Sequence, residues 1–195
     1  IERYPDQFAC VILEPSAVES PYIGVDGSRN YQENTPVKFD KKNNKNNFLK
    51  QVQGLCRKHG IVLILDEMIT GFRWHMKGAQ YLYGVEPDLC TFGKAMANGY
   101  SIAALTGKRE ILEVYSKKAF ISGTYFGNSL SMAAALKTIE FIETNDVITD
   151  LNQKGEYFKK KMDELIQNYN NFCEFSGSPW MPYLSFRRDK NKIYK

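Results

Sequence analysis

The stretch LILDEMITGFR (Leu63 to Arg73) constrains this chain more than any other. The apolar run from Ile61 to Leu65 is too short for a buried helix and does not alternate, so it reads as a strand covered on both faces, as in a parallel sheet. That strand ends on two carboxylates, Asp66 and Glu67, and a Thr70–Gly71 turn follows at once. In open parallel sheets the carboxyl ends of the strands face the ligand crevice, so an acid there is placed for function. At that depth a carboxylate suffers desolvation unless a cation or a strong donor meets it. Taken alone, Asp66 could equally cap the following turn or pair with Arg73.

The rest of the chain supports a sheet of this kind. Phe8 to Leu13, closed by Glu14 and Pro15, reads as a second strand buried on both faces. From Asn47 the spacing of Phe48, Val52 and Leu55, ending at His59-Gly60, predicts a helix with a glycine stop. Strand, helix, strand in that order is a βαβ unit. Ser16 to Pro36 reads as loop, and FDKKNNKNN as a solvated surface loop. DLCTFG and SIAALTG add two strands, separated by KAMANGY. KREILEVYSKK has helical spacing, AFISGTYFGN reads as a short strand and a loop, and Ser129 to Thr144 as an Ala-rich amphipathic helix. A long helix from Val147 to Tyr169 follows, and NFCEFSG and MPYLSF read as the last strands. The expected class is α/β, a mostly parallel sheet flanked by helices over residues 1–145, with 146–195 forming a bridging helix and the start of a smaller α/β domain. The chain begins at Ile1 without an initiator Met and ends on a basic tail, and it reads as a piece of something longer.

Composition excludes several classes. With 195 residues, 43% hydrophobic and 25% charged, the chain has enough apolar content for one sizeable core. The net charge of +4 is spread among acids except in the Lys38–Lys50 tract, too weak a signal for nucleic acid. No apolar run approaches the roughly 20 residues that span a bilayer, and the first residues lack the pattern of a signal peptide. A cytoplasmic protein is expected. Cys10, Cys56, Cys90 and Cys173 lie far apart without C-x-x-C spacing, so they read as buried free thiols rather than a zinc site or a disulfide framework. His59 and His75 have no third ligand at convincing spacing, so no metal is expected.

Two further segments carry chemistry. In TFGKAMANGY, Lys94 follows an apolar strand and is flanked by Gly93, Ala95, Ala97 and Gly99. Small neighbours let a planar group approach the backbone, and a lysine in a partly apolar site gains nucleophilic character. In SGTYFGN, hydroxyls and glycines including Thr124 make a turn whose N–H groups can hold a phosphate. Each has a plain alternative, an exposed lysine at a helix start and a turn capping the helix from Ser129. Together, an aspartate for a pyridinium nitrogen, a lysine for an aldehyde and a hydroxyl for a phosphate match the three handles of pyridoxal phosphate.

In this order the motifs resemble the class-III aminotransferases of the fold-type I pyridoxal-phosphate superfamily, most closely the glutamate-1-semialdehyde 2,1-aminomutases and their relatives. The resemblance runs from about Phe8 to Glu143, through VILEP, LILDEMITGFR, GVEPDLCTFGKAMANGY and GTYFGNSLSMAAAL. It implies that Asp66 partners the pyridinium nitrogen, Met68 packs against the ring, and Lys94 is both the Schiff-base residue and the general base. It further implies that Thr124 reaches a cofactor held mainly by a neighbouring subunit, so the complete protein is a homodimer. The family's phosphate cup and the aromatic residue stacked on the ring precede Ile1. The tract AMANGYSIAAL is bulkier than the aminomutases' glycine-rich run, which favours an aminotransferase acting on an amino donor and a carbonyl acceptor. An aminomutase, a racemase, decarboxylase or synthase on the same fold, and a non-catalytic α/β module binding through the basic tract are the alternatives.

Overall fold

The computed structural model describes residues 1, 3–15, 48–169, 172–179, 181–189 and 192–194. The readings of Ser16 to Pro36 and of FDKKNNKNN as loops lie outside the described residues.

The first sheet contains β1 (Cys10–Leu13), β2 (Val62–Asp66), β3 (Leu89–Phe92) and β4 (Ala104–Gly107), in that spatial order. β1–β2 and β2–β3 are parallel, and β4 returns antiparallel along β3. This is the mostly parallel α/β sheet expected. Helix α1 (Phe48–Lys58) turns Leu49, Gln53 and Cys56 inward at helical spacing. It stops where Ile61 N–H donates to the Cys56 carbonyl (2.9 Å) around Gly60, whose φ of 65° is left-handed. Leu63 and Leu65 of β2 are buried against this helix together with Trp74, Tyr83 and Val85, forming the main core.

The opposite ends of the strands are fastened by charge. Asp88, just before β3, accepts the Leu63 N–H at 2.7 Å and pairs with Lys108 at 2.6 Å, tying the start of β2 and the start of β3 to the end of β4.

Past β4 come α3 (Arg109–Lys118), α4 (Ser129–Thr144) and α5 (Val147–Ile166). A second sheet, antiparallel throughout, contains β5 (Cys173–Ser178), β6 (Met181–Asp189) and β7 (Lys192–Tyr194). α5 packs on β5 and β6, with Phe158 edge-on to Phe175 at 5.6 Å.

Two expectations are corrected. β1 is not buried on both faces: Cys10 is exposed and Ile12 is 60% exposed, because β1 is an edge strand and no described element covers that face. AFISGTYFGN contains no strand, since no described strand lies beside it, and Phe120 stands exposed. A short helix, Ala79–Tyr83, was not anticipated and is α2 only by position; it is called here the post-loop helix. Of the cysteines, Cys56, Cys90 and Cys173 are buried and free, as expected, while Cys10 is exposed.

Candidate active site

β2 and β3 run parallel, so their carboxyl ends lie at one edge of the sheet. Asp66 is the last residue of β2 and sits opposite Thr91 of β3. Its Oδ1 accepts the Met68 N–H at 2.9 Å and the Thr91 hydroxyl at 3.1 Å. The turn-capping role open to this aspartate is therefore realised, and it uses one oxygen only. Oδ2 accepts no hydrogen bond from the described residues.

β3 runs out through Gly93 into a single 3-10 turn, Lys94–Met96. Lys94 is exposed and takes φ 41°, a left-handed conformation that a long side chain rarely adopts. Such strain concentrates where the surrounding structure fixes a functional group. The turn is held from below by Met96 and Ala97, packed with Ala135 of α4 and with Phe72, Phe92 and Ile102. Phe72, also left-handed at φ 56°, meets Phe92 with ring centroids 5.6 Å apart.

Met68 connects the two strand ends. A Cβ on Gly93 would overlap Met68 Cε and come within 2.8 Å of its Sδ, so the thioether lies directly on the backbone before Lys94. Glycine at 93 is what admits it. The structure thus brings Asp66, Met68 and Lys94 to one edge of the sheet. Among the described residues no hydrogen bond or ion pair joins Thr124 to them: it lies in an exposed turn, residues 124–127, ahead of α4. There Asn128 caps the helix by accepting the Ser131 N–H at 2.9 Å.

Glu67 was missed as a site residue, although it stands beside Asp66. It is 0% exposed. Its carboxylate accepts N–H groups from Ala79 and Gln80, each at 2.8 Å, and the Thr70 hydroxyl. The sequence signal was the acid pair itself, but the acceptors' partners twelve and thirteen residues on could not be read from local spacing. Beside it, burial and then the Glu67 carboxylate push the Cys90 thiol up to about 12, so that thiol stays protonated and inert at neutral pH.

The profile of class-III aminotransferases matches residues 42–191. The chain belongs to that family.

Among its curated relatives, the class-III chain is 44% identical over 148 residues to the 3-aminobutyryl-CoA aminotransferase of Cloacimonas acidaminovorans, covering 76% of this chain and 36% of that one. It is 41% identical over 133 residues to glutamate-1-semialdehyde 2,1-aminomutase 2 of Lachnoclostridium phytofermentans, covering 67% and 31%. Among solved structures, a Bacillus anthracis aminotransferase aligns with TM-score 0.64 and 31% identity, over 73% of this chain and 33% of the other. The FumI protein of Sphingopyxis sp. MTA144, solved in a PLP internal aldimine form, aligns with TM-score 0.67 and 28% identity, over 74% and 34%. The chain spans about a third of the length of these relatives.

The class-III residues present suit pyridoxal phosphate. One oxygen of a half-buried carboxylate is open, a primary amine is exposed on the adjacent strand end, and a cleared backbone at Gly93 carries a soft thioether between them. Among the described residues no group of three His, Cys, Asp or Glu side chains could hold a metal ion.

Proposed function

We propose that this chain carries part of the active site of a pyridoxal-phosphate-dependent aminotransferase that moves an amino group from a small-molecule donor to a carbonyl acceptor. The observation that carries the reading is the pairing of Asp66 and Lys94 on the carboxyl ends of neighbouring parallel strands, with Met68 lying on Gly93 between them. Pyridoxal phosphate, when bound, supplies an aldehyde that takes up amines and a ring that accepts electron density from the adjoining carbon. Lys94 Nζ would be the amine that holds the aldehyde and, when free, the base that would take a proton from the substrate carbon and return it. Asp66 Oδ2 keeps the ring nitrogen protonated by offering it an opposite charge. Met68 supports one face of the ring. Thr124 would offer its hydroxyl to the phosphate of a cofactor in a second copy, a role that calls for a homodimer as the working protein.

The division into a cofactor-binding part, residues 1–145, and a bridging helix with a smaller domain, 146–195, belongs to the same reading, as does a cytoplasmic location. No helix among the described residues is long and apolar enough to cross a membrane. The aminotransferase relative named above favours exchange between two molecules. A second reading, intramolecular transfer as in the aminomutases, is favoured by the aminomutase relative. The two separate on whether product forms without a second carbonyl compound.

The test compares the full-length protein with its Lys94→Ala variant after adding pyridoxal phosphate, then reduces with borohydride and maps the modified peptide. The expected result is a visible absorption band in the parent, absent in the variant, with the reduced adduct on Lys94. Equal spectra from both proteins sink the proposal.

A further inference from the structure

The loop between β2 and the post-loop helix leaves the sheet at Glu67 and comes back to it. Glu67 N–H donates to the Thr91 carbonyl at 3.0 Å, continuing the β2–β3 ladder one step past Asp66, and its own carbonyl accepts the Gly71 N–H at 2.8 Å. Its side chain closes the loop from the other end, through the Ala79 and Gln80 N–H groups at 2.8 Å each and the Thr70 hydroxyl. Gly78, at φ 76°, is bare where it passes the carboxylate: a Cβ there would stand 2.5 Å from Glu67 Oε1. A group that only accepts suits these donors, two of which are backbone N–H groups on different oxygens.

We propose that Glu67 is a positioning residue for the cofactor's site, acting through its neighbours. Asp66, Met68 and the run into Lys94 all connect to this clamp. Asp66 precedes it and shares Thr91 with it; Met68 follows it and lies on Gly93; Phe72, in the same loop, packs on Phe92, which leads into Gly93 and Lys94. Glu67 therefore sets how the Asp66 carboxylate and the Met68 thioether stand relative to the Lys94 amine. A glutamine at 67 has the same shape but one acceptor oxygen and one NH2. Whichever way it turns, one of the N–H groups of Ala79 and Gln80 faces another donor, and the loop must open there.

The inference rests on the function proposed above, and the test keeps the two apart. Three variants of the full-length protein are compared with the parent: Glu67→Gln, Thr70→Val, which removes a donor and leaves the carboxylate in place, and Leu49→Ala, a core truncation on α1 that serves as a stability control. Four quantities are read: melting temperature, amide hydrogen exchange without cofactor at Met68 and at Met96, whose N–H donates to the Gly93 carbonyl at 2.9 Å, the dissociation constant for pyridoxal phosphate, and the pH midpoint of the visible band. Expected for Glu67→Gln are faster exchange at both amides, roughly tenfold weaker cofactor binding and a displaced midpoint, with smaller changes of the same kind for Thr70→Val. Leu49→Ala lowers the melting temperature and leaves the other three readings unchanged. If Glu67→Gln only lowers the melting temperature as the control does, Glu67 is merely structural and the proposal is overturned. Should Glu67→Gln not fold, Thr70→Val decides: unchanged exchange and binding overturn the proposal, and the smaller shifts support it. A parent that takes up no cofactor overturns the proposed function instead, and exchange at Met68 and Met96 still decides whether Glu67 holds the two strand ends together.

Discussion

A methyl group added at Gly71 and one added at Gly93 meet different kinds of neighbour. At Gly71 it would stand 2.5 Å from the Phe92 ring and 2.8 Å from the Glu67 carbonyl, a wall of ring and backbone that cannot step aside. At Gly93 its two close contacts would be with the flexible end of the Met68 side chain, the Ile102 carbonyl standing at an ordinary 3.4 Å. Gly71→Ala is accordingly expected to cost roughly 1–3 kcal/mol of stability, and Gly93→Ala less than about 1 kcal/mol, both read by urea unfolding of the full-length protein. Gly93→Ala displaces the thioether all the same, so its expected effect is weaker cofactor binding with near-normal stability. Equal losses of stability at the two positions would contradict the described packing. At this scale local apolar pattern marks Asp66 and Lys94 as candidates, because each follows a readable strand, while Met68 enters only through the family resemblance. Glu67 was not legible as a clamp, because its donors sit at Ala79 and Gln80, across a loop whose closure no local pattern encodes.

Strand ends at the edge opposite the site depend on a charged fastening, and its acid partner sets a pH dependence. Burial alone would raise the Asp88 carboxyl, but the hydrogen bonds from Lys108 and the Leu63 N–H, with the charges of Lys108 and Arg57, hold it below the usual carboxylate range. A carboxyl lowered in the folded state contributes stability above its unfolded value of about 3.9. That contribution is lost as pH falls through the lower folded value. Asp88→Asn should therefore destabilise the protein at neutral pH, by roughly 1–2 kcal/mol after allowing for solvent around Lys108. The difference from the parent should shrink in acid, as measured by urea unfolding at neutral pH and near pH 3. A difference that is constant with pH would count against the fastening. Among the elements themselves, α1, β2, β3, β4, α3 and α4 were readable from apolar period and glycine stops, and α4 spans Ser129–Thr144 as read. The post-loop helix at Ala79–Tyr83 escaped because its start is capped by the distant Glu67 carboxylate rather than by a side chain at its own N-cap. β7 escaped because Lys192–Tyr194 is too short and polar to signal a strand without β6 beside it.

Among the described residues many large apolar side chains stand exposed on adjoining elements. α4 buries only Ser131 and Ala135 and presents Leu130, Leu136 and Phe141 outward, with Leu136 71% exposed. The turn before it adds Phe120, Tyr125 and Phe126, and α5 adds Tyr157 and Leu165. The 195-residue chain by itself is expected to bind a hydrophobic dye and to self-associate in light scattering. Replacing both Leu136 and Phe141 by lysine should reduce the association. A monodisperse monomer that binds no dye would show that these side chains find cover the described packing does not provide. The sequence by itself determined the mostly parallel α/β sheet, since strand burial is written in neighbouring residues, and its motif order offered the acid, the thioether and the amine as candidates through the family resemblance. Only the tertiary structure decided that Asp66 and Lys94 stand at one edge of the sheet, that the Met68 thioether lies on Gly93 between them, that Glu67 ties the loop to the post-loop helix and that β1 has a bare face. Those are relations between residues distant in sequence, fixed by strand register, loop closure and which surfaces find a partner to cover them.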